Sequence, residues 1–196
     1  MQASPPLPAA AEFRPVVLVL ASGRGERFRA SGGEVHKLQA LLEGRTVLER
    51  TLDAVRASGL PWHLEDRGHP GMGDSIAAAV RATRDAPGWL VLPGDLPLVA
   101  PASLRAVAEA LAGWSGAVLP ATGGVPGHPV GFSADNGAAL QDLRGDEGAR
   151  SLLRRLDAQG GVRRLRLEDQ GMRGDIDTLA DLERAAQQLR ARTAQG

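Results

Sequence analysis

The stretch Leu20-Ala21-Ser22-Gly23-Arg24-Gly25-Glu26-Arg27, with Lys37 following, combines small residues with three cations. Small residues after an apolar run let backbone N–H groups approach a phosphate, and Arg27 and Lys37 can neutralise it. The Gly-x-Gly has Phe28 where a dinucleotide fingerprint has its third glycine, and no acidic residue closes a second strand about 20 residues on. A nucleoside triphosphate therefore fits better than a dinucleotide. The same loop also reads as a glycine turn with solvated charges. In Leu92-Pro93-Gly94-Asp95-Leu96-Pro97 a carboxylate stands between two prolines just past an apolar run. Magnesium takes one or two carboxylates plus phosphate oxygens and water, which makes Asp95 a metal candidate. An Asp before a Pro-rich turn also serves as a turn cap. In Asp175-Ile176-Asp177-Thr178 two carboxylates share a side if the chain is extended, while Asp177 or Thr178 can equally cap the last helix.

Two further stretches carry polar groups. Gly71-Met72-Gly73-Asp74-Ser75 opens a helix, and a helix N-terminus with glycine access suits an anion or a base. Gly127-His128-Pro129 and Gly145-Asp146-Glu147-Gly148-Ala149-Arg150 are glycine-flanked polar clusters, with His128 also readable as a plain loop histidine.

The elements that must position these residues follow from hydrophobic patterning. Residues 16–20 and 89–92 are continuous apolar runs, as in strands buried on both faces of a parallel sheet, and 117–119 is a weaker third. Residues 162–167 interleave Val162, Leu165 and Leu167 with arginines, which predicts a strand with one wet face or an edge. Helices fall between these runs. Thr46 and Glu49 form a capping-box pattern ahead of Leu48, Leu52 and Val55, ending at Gly59. An Ala-rich helix covers 74–84, Pro101 opens a third helix before Gly113, and Thr178 with Asp181 opens the last. Strands alternating with helices predict an α/β fold: a Rossmann-like three-layer sandwich with a mostly parallel sheet. Ligands in such sheets bind beyond the carboxyl ends of the strands, where the polar loops fall. Neither a repeat nor a linker is evident, so 1–14 is expected to be a disordered tail and 15–196 one domain.

The totals narrow the partners. The chain has 196 residues, 43% hydrophobic and 23% charged, with zero net charge. It lacks the basic surplus of a nucleic-acid binder. With no cysteine, disulfides and thiolate chemistry are excluded. No apolar run approaches the roughly 20 residues of a membrane span, and the first residues do not form a signal peptide, so a cytoplasmic location is expected.

Taken in order, these segments resemble the MobA-like nucleotidyltransferases, most closely the molybdenum cofactor cytidylyltransferase branch. That family opens with Leu-Ala-(Ala/Gly)-Gly-x-Ser-x-Arg-(Met/Phe)-Gly and a lysine, matched here by Leu20 to Phe28 and then Lys37. Gly-Met-Gly-x-Ser, an apolar-Asp-x-Pro loop, Gly-His-Pro, Gly-Asp-x-Gly-Ala-Arg and Asp-Ile-Asp-Thr follow in the family's order. Ser22 stands where cytidine users carry Ala and guanosine users Gly. The stretch from Arg27 to Lys37 is longer than usual, with Arg29 in place of a glycine. Between Gly59 and Gly71 a strand–helix unit is shortened, leaving 61–65 as a short strand.

The resemblance implies a nucleotide-diphospho-sugar-transferase type of fold and a magnesium-dependent transfer. A nucleoside monophosphate from CTP or GTP would pass to the terminal phosphate of molybdopterin, releasing pyrophosphate. It implies Asp95 and Asp177 as Mg²⁺ ligands, and Arg27 and Lys37 on the β- and γ-phosphates. Leu20, Ala21, Ser22, Gly23 and Arg24, with Gly71, Met72, Gly73 and Ser75, would bind the nucleotide. His128, Pro129, Asp146 and Arg150 would face the pterin, and a molybdenum enzyme would receive the product. Two alternatives stay open. One is a sugar-phosphate nucleotidyltransferase or glycosyltransferase using Asp175 and Asp177, and the other is a non-catalytic molybdenum cofactor chaperone.

Overall fold

A computed structural model of the protein describes residues 13–194. Apart from Phe13 and Arg14, the tail expected over 1–14 lies outside the described residues. Phe13 packs on the core, and Arg14 donates to the Gly59 carbonyl.

The strands are β1 (Val16–Leu20), β2 (Leu41–Leu42), β3 (Arg45–Thr46), β4 (Trp62–Glu65), β5 (Gly88–Pro93), β6 (Ala117–Thr122), β7 (Val125–Pro126), β8 (Val130–Ser133) and β9 (Val162–Arg166). The α-helices are α1 (Glu26–Ala30), α2 (Val47–Ser58), α3 (Met72–Ala82), α4 (Pro101–Leu111), α5 (Gly137–Gln141), α6 (Arg150–Ala158) and α7 (Leu179–Thr193). One sheet runs β4-β1-β5-β8-β6-β7, with β9 parallel to β6, while β2 and β3 form a separate hairpin. β4, β1 and β5 are parallel, and β8 is antiparallel to both β5 and β6. The expected mostly parallel α/β sheet is thus present, interrupted by the reversed β8 and edged by the short, also reversed β7.

The apolar runs form strands because both faces of the sheet are covered. Along β1, Val17 and Val19 enter a core with Leu52, Val55, Leu104 and Val107 of α2 and α4. Leu18 and Leu20 point the other way, toward Ile76 and Val80 of α3 and Leu152 of α6. This period-two division makes a continuous apolar run the only pattern that buries every side chain. The β9 arginines stay exposed between half-buried Val162 and Leu165, as an edge requires.

The helix signals hold. Thr46 and Glu49 bond reciprocally at the start of α2, and Thr178 and Asp181 do the same at α7. Two boundaries shift. α3 begins at Met72, since the Gly-Met-Gly segment is already helical, and ends at Ala82. β8 was not evident from sequence because Val130, Gly131, Phe132 and Ser133 offer no alternation, all four being buried.

The shortened 59–71 region is a single strand. Between α2 and α3 the chain makes only β4, which closes the sheet's edge beside β1. Leu20 pairs in register with both Glu65 and Pro93, so β1, β4 and β5 end flush. Their following loops therefore leave the sheet at one edge.

Candidate active site

Those loops are tied together by the backbone. The Gly94 N–H donates to the Leu20 carbonyl at 2.8 Å, and the Ala21 N–H to the Glu65 carbonyl at 2.9 Å. The Thr51 hydroxyl, buried under the loop, donates to the Gly94 carbonyl at 2.9 Å. The Ile176 N–H donates to the Asp95 carbonyl at 3.0 Å. This last bond brings Asp177 beside Asp95 across 82 residues of chain separation.

A third apolar cluster explains how the charged groups are aimed. Phe28, Leu38, Leu98 and Ile176 are buried together with Leu42 and Val47. Phe28 follows Arg27, Leu38 follows Lys37 and Ile176 precedes Asp177. Each of these three side chains thus has an anchored apolar neighbour, and Asp95 has buried Leu96 beside it in the first cluster. The long stretch from Arg27 to Lys37 turns back through α1 and Gly33, whose N–H donates to the Phe28 carbonyl at 3.1 Å. A Cβ on Gly33 would strike the Phe28 ring and carbonyl. Lys37 is therefore returned to the site despite the added length.

The geometry centres on Lys37. Its Nζ donates to Asp95 Oδ2 at 2.6 Å and to Asp177 Oδ1 at 2.8 Å. Arg27 reaches Asp177 Oδ2 at 2.6 Å, but its own side chain is 79% exposed. The Lys37, Asp95 and Asp177 side chains are 12%, 14% and 18% exposed. Burial pushes the Lys37 ammonium pKa down, yet Asp95 and Asp177 outweigh it and leave it above 10.5. Asp95 Oδ1 is buried with no hydrogen-bond partner. Asp175 is exposed and makes no such pair.

These groups share a cleft of about 420 Å³. Leu20, Ser22, Gly23, Arg24, Arg27, Lys37, Gly71, Met72, Asp95, Asp146 and Asp177 line it. Ser22 and Ser75 touch through their hydroxyls, and Ser75 Oγ also donates to the Gly71 carbonyl at 3.1 Å. Ala21, Gly73 and Ser75 are not on the cleft surface and act from behind it. The two glycine motifs meet there. The Gly73 N–H donates to the Gly145 carbonyl at 2.7 Å, and Asp74 accepts from the Gly145 N–H at 2.8 Å. A Cβ on Gly73 would lie 2.7 Å from the Arg144 carbonyl, so only glycine allows this approach.

His128, Pro129 and Arg150 do not line the cleft. Pro129 is buried, and the His128 backbone N–H donates to the Met172 carbonyl at 2.9 Å, with the ring Nδ1 buried without a partner. Burial holds the His128 ring below its usual 6.5, against the Val91 backbone and Asp95. Arg150 is exposed at the start of α6. Of the expected acceptor-side residues, Asp146 alone reaches the cleft.

Two histidines near these motifs have no role assigned from sequence: His36 braces the cleft loops from outside its lining, and His69 lines it. His36 Nδ1 accepts from the Leu38 N–H at 3.3 Å, so its Nε2 donates to the Gly23 carbonyl at 2.6 Å, tying the glycine loop to the Lys37 segment. His69 lines the cleft from the loop after β4, held by Glu65. Adjacency to Lys37 and to a strand end were the available signals.

The fold is found in solved structures. Rv0371c from Mycobacterium tuberculosis H37Rv superposes with a TM-score of 0.74 at 24% identity, covering 91% of this chain and 100% of that one. The same protein has been solved in complex with manganese, at TM-score 0.71 and 23% identity over 89% of this chain and 98% of that one. A nucleotidyl transferase from Methanothermobacter thermautotroptrophicus, Mth528, gives 0.75 at 24% identity, over 91% of this chain and 99% of its own. Molybdopterin-guanine dinucleotide biosynthesis protein A from Archaeoglobus fulgidus gives 0.57 at 19% identity, over 90% and 99%. No curated protein sequence matches the chain. The family model described as the MobA-like NTP transferase domain matches residues 53–160, just over half of the chain, and to that family this protein belongs.

Proposed function

We propose that the protein transfers a nucleoside monophosphate, from CTP in preference to GTP, to the terminal phosphate of a molybdopterin-type cofactor, releasing pyrophosphate. The observation that carries this reading is the meeting of Asp95, Asp177, Lys37 and Arg27 at one cleft beyond the flush ends of β1, β4 and β5. Such a set suits phosphoryl chemistry, where positioning and charge neutralisation supply most of the rate.

The residues fit a magnesium ion. Two carboxylates lie within reach of one cation, and Asp95 Oδ1 is an orphaned acceptor. Among the described residues no group of three or more acidic, His or Cys side chains forms a metal cage. Magnesium needs none, because it takes one or two carboxylates and completes its shell with phosphate oxygens and water. When bound, the ion would polarise the phosphoryl oxygens and offset charge on the leaving pyrophosphate. With Asp95 and Asp177 holding such an ion, Lys37 and Arg27 would be available to the β- and γ-phosphates. An attacking phosphate is already ionised at neutral pH, so the cleft needs no general base. The manganese complex of Rv0371c supports a divalent ion in a protein of this fold. We further propose one domain from residue 15 onward, since all three apolar clusters draw on elements throughout that span. No helix among the described residues is long and apolar enough to cross a membrane.

The test is purified protein with magnesium, a molybdopterin-type acceptor and CTP or GTP in parallel, measuring pyrophosphate. Release that needs acceptor and metal, with CTP ahead by about tenfold, roughly 1.4 kcal/mol, is the expected result. Release with a sugar phosphate as acceptor instead would reassign the substrate. Tight cofactor binding without pyrophosphate would show a chaperone.

A further inference from the structure

The loop between β4 and α3 carries polar residues that the transfer chemistry above does not use. Glu65 is 1% exposed, at the last position of β4. Its Oε1 lies 3.1 Å from His69 Nε2 and 3.2 Å from Arg67 Nε, and its Oε2 lies 3.4 Å from Arg67 Nη2 and 3.5 Å from His63 Nε2. Burial pushes the Glu65 carboxyl pKa up, but bonds from Arg67, His69 and His63 outweigh this and hold it below its usual range. An ionised carboxylate only accepts hydrogen bonds, so His69 Nε2 must carry the proton. In the neutral ring that leaves Nδ1 as an acceptor.

The position of His69 gives this acceptor a use. Asp95 follows β5 and His69 follows β4, on opposite sides of β1. Both line the same cleft, and with adjacent strands about 4.8 Å apart the ends of β4 and β5 that carry them are separated by roughly 10 Å along the sheet edge. That is the span from the phosphates of a nucleotide to its base. Asp95 enters the cleft from the β5 side, while Pro70 and exposed Met72, close to His69 in the chain, line it from the β4 side.

We propose that His69, oriented by Glu65, is the residue that reads the base edge, accepting a hydrogen bond from an exocyclic amine and so selecting cytosine over uracil. This rests on the nucleotide reading of the cleft. The two pyrimidines have the same shape and differ at position 4, where cytosine has an amine and uracil a carbonyl. A carbonyl facing the Nδ1 lone pair leaves both acceptors unpaired, which is how a polar site rejects the wrong ligand strongly. Glu65 is a positioning residue, acting through the imidazole.

The test is competitive binding of CTP, UTP and pyrophosphate to the magnesium-loaded protein and to His69→Leu and His69→Gln. The wild type should favour CTP over UTP by at least about tenfold, roughly 1.4 kcal/mol. His69→Leu should bring the ratio near one with pyrophosphate affinity unchanged, and His69→Gln, whose amide oxygen is an acceptor, should restore part of it. An unchanged ratio in His69→Leu overturns the proposal, as does a wild type indifferent to the two bases. A parallel loss for CTP, UTP and pyrophosphate would show that His69 only holds the loop together. Pyrophosphate binding with neither nucleotide bound would instead refute the nucleotide reading itself.

Discussion

Replacing Lys37 by Met keeps the length of the side chain but removes the charge that lies between Asp95 and Asp177. In the folded protein these carboxylates are 14% and 18% exposed, and the ammonium sits 2.6 and 2.8 Å from them. Deleting one partner of a buried ion pair costs about 3–5 kcal/mol, because the remaining charge stays buried without compensation. Arg27 remains on Asp177, so the loss falls mainly on Asp95, and the low end of that range, about 3 kcal/mol, is expected. For a chain of this size a kcal/mol moves the melting midpoint by about 2–4 °C, giving a fall of about 6–12 °C. The assay is thermal unfolding with a chelator and then with magnesium. Magnesium should return most of the lost stability to Lys37→Met and add less to the wild type, whose carboxylates are already neutralised. A variant as stable as the wild type in chelator would refute the pairing as a structural charge balance. A variant that loses stability but gains nothing from magnesium would refute the carboxylates as a cation site.

Asp95→Asn should reduce pyrophosphate release at least about a hundredfold, about 2.7 kcal/mol, with the fold retained by circular dichroism. Gly73→Ala should destabilise by about 1–3 kcal/mol in denaturant titration, because its Cβ would press on the Arg144 backbone and part the Gly145 loop from α3. The His128 ring is held neutral by burial, so its pKa is depressed on folding. A depressed group contributes stability that is whole above its unfolded value of 6.5 and is lost as pH falls through the folded one. The melting midpoint should therefore drop as the pH falls below about 6.5, and His128→Asn should flatten part of that slope.

How much of this was legible in the sequence depends on how local each signal is. The strands β1 and β5, the capping boxes of α2 and α7 and the wet edge β9 rest on residues within one turn or one strand. Their physics is short-range, and the sequence carries it openly. β8 is different. Its four residues are buried because β5 and β6 flank it and α4 packs on Gly131, none of which the local pattern encodes. The burial of the His128 ring is hidden from the sequence for the same reason. A Gly-His-Pro loop looks solvent-facing, yet here its backbone pairs with the Met172 carbonyl and its ring is buried near Asp95.

The candidate site shows where the two kinds of signal meet. Arg27, Lys37, Asp95 and Asp177 were each ambiguous in sequence, every one having a solvated or capping role that its neighbours allowed. Asp177 does lie beside a capped helix start, but the Thr178 and Asp181 side chains do the capping and leave the Asp177 carboxylate free for Lys37 and Arg27. What removes the ambiguity is the apolar partner beside each charge. Phe28, Leu38 and Ile176 bury together while Leu96 is buried beside Asp95, and a surface cap or solvated turn would give such residues no reason to be buried. Polar residues flanked by one buried apolar neighbour each, on four separate segments, satisfy both preferences when their charges face one cleft. The long segment between Arg27 and Lys37 obeys this constraint rather than its length, which is why the lysine is brought back to the carboxylates.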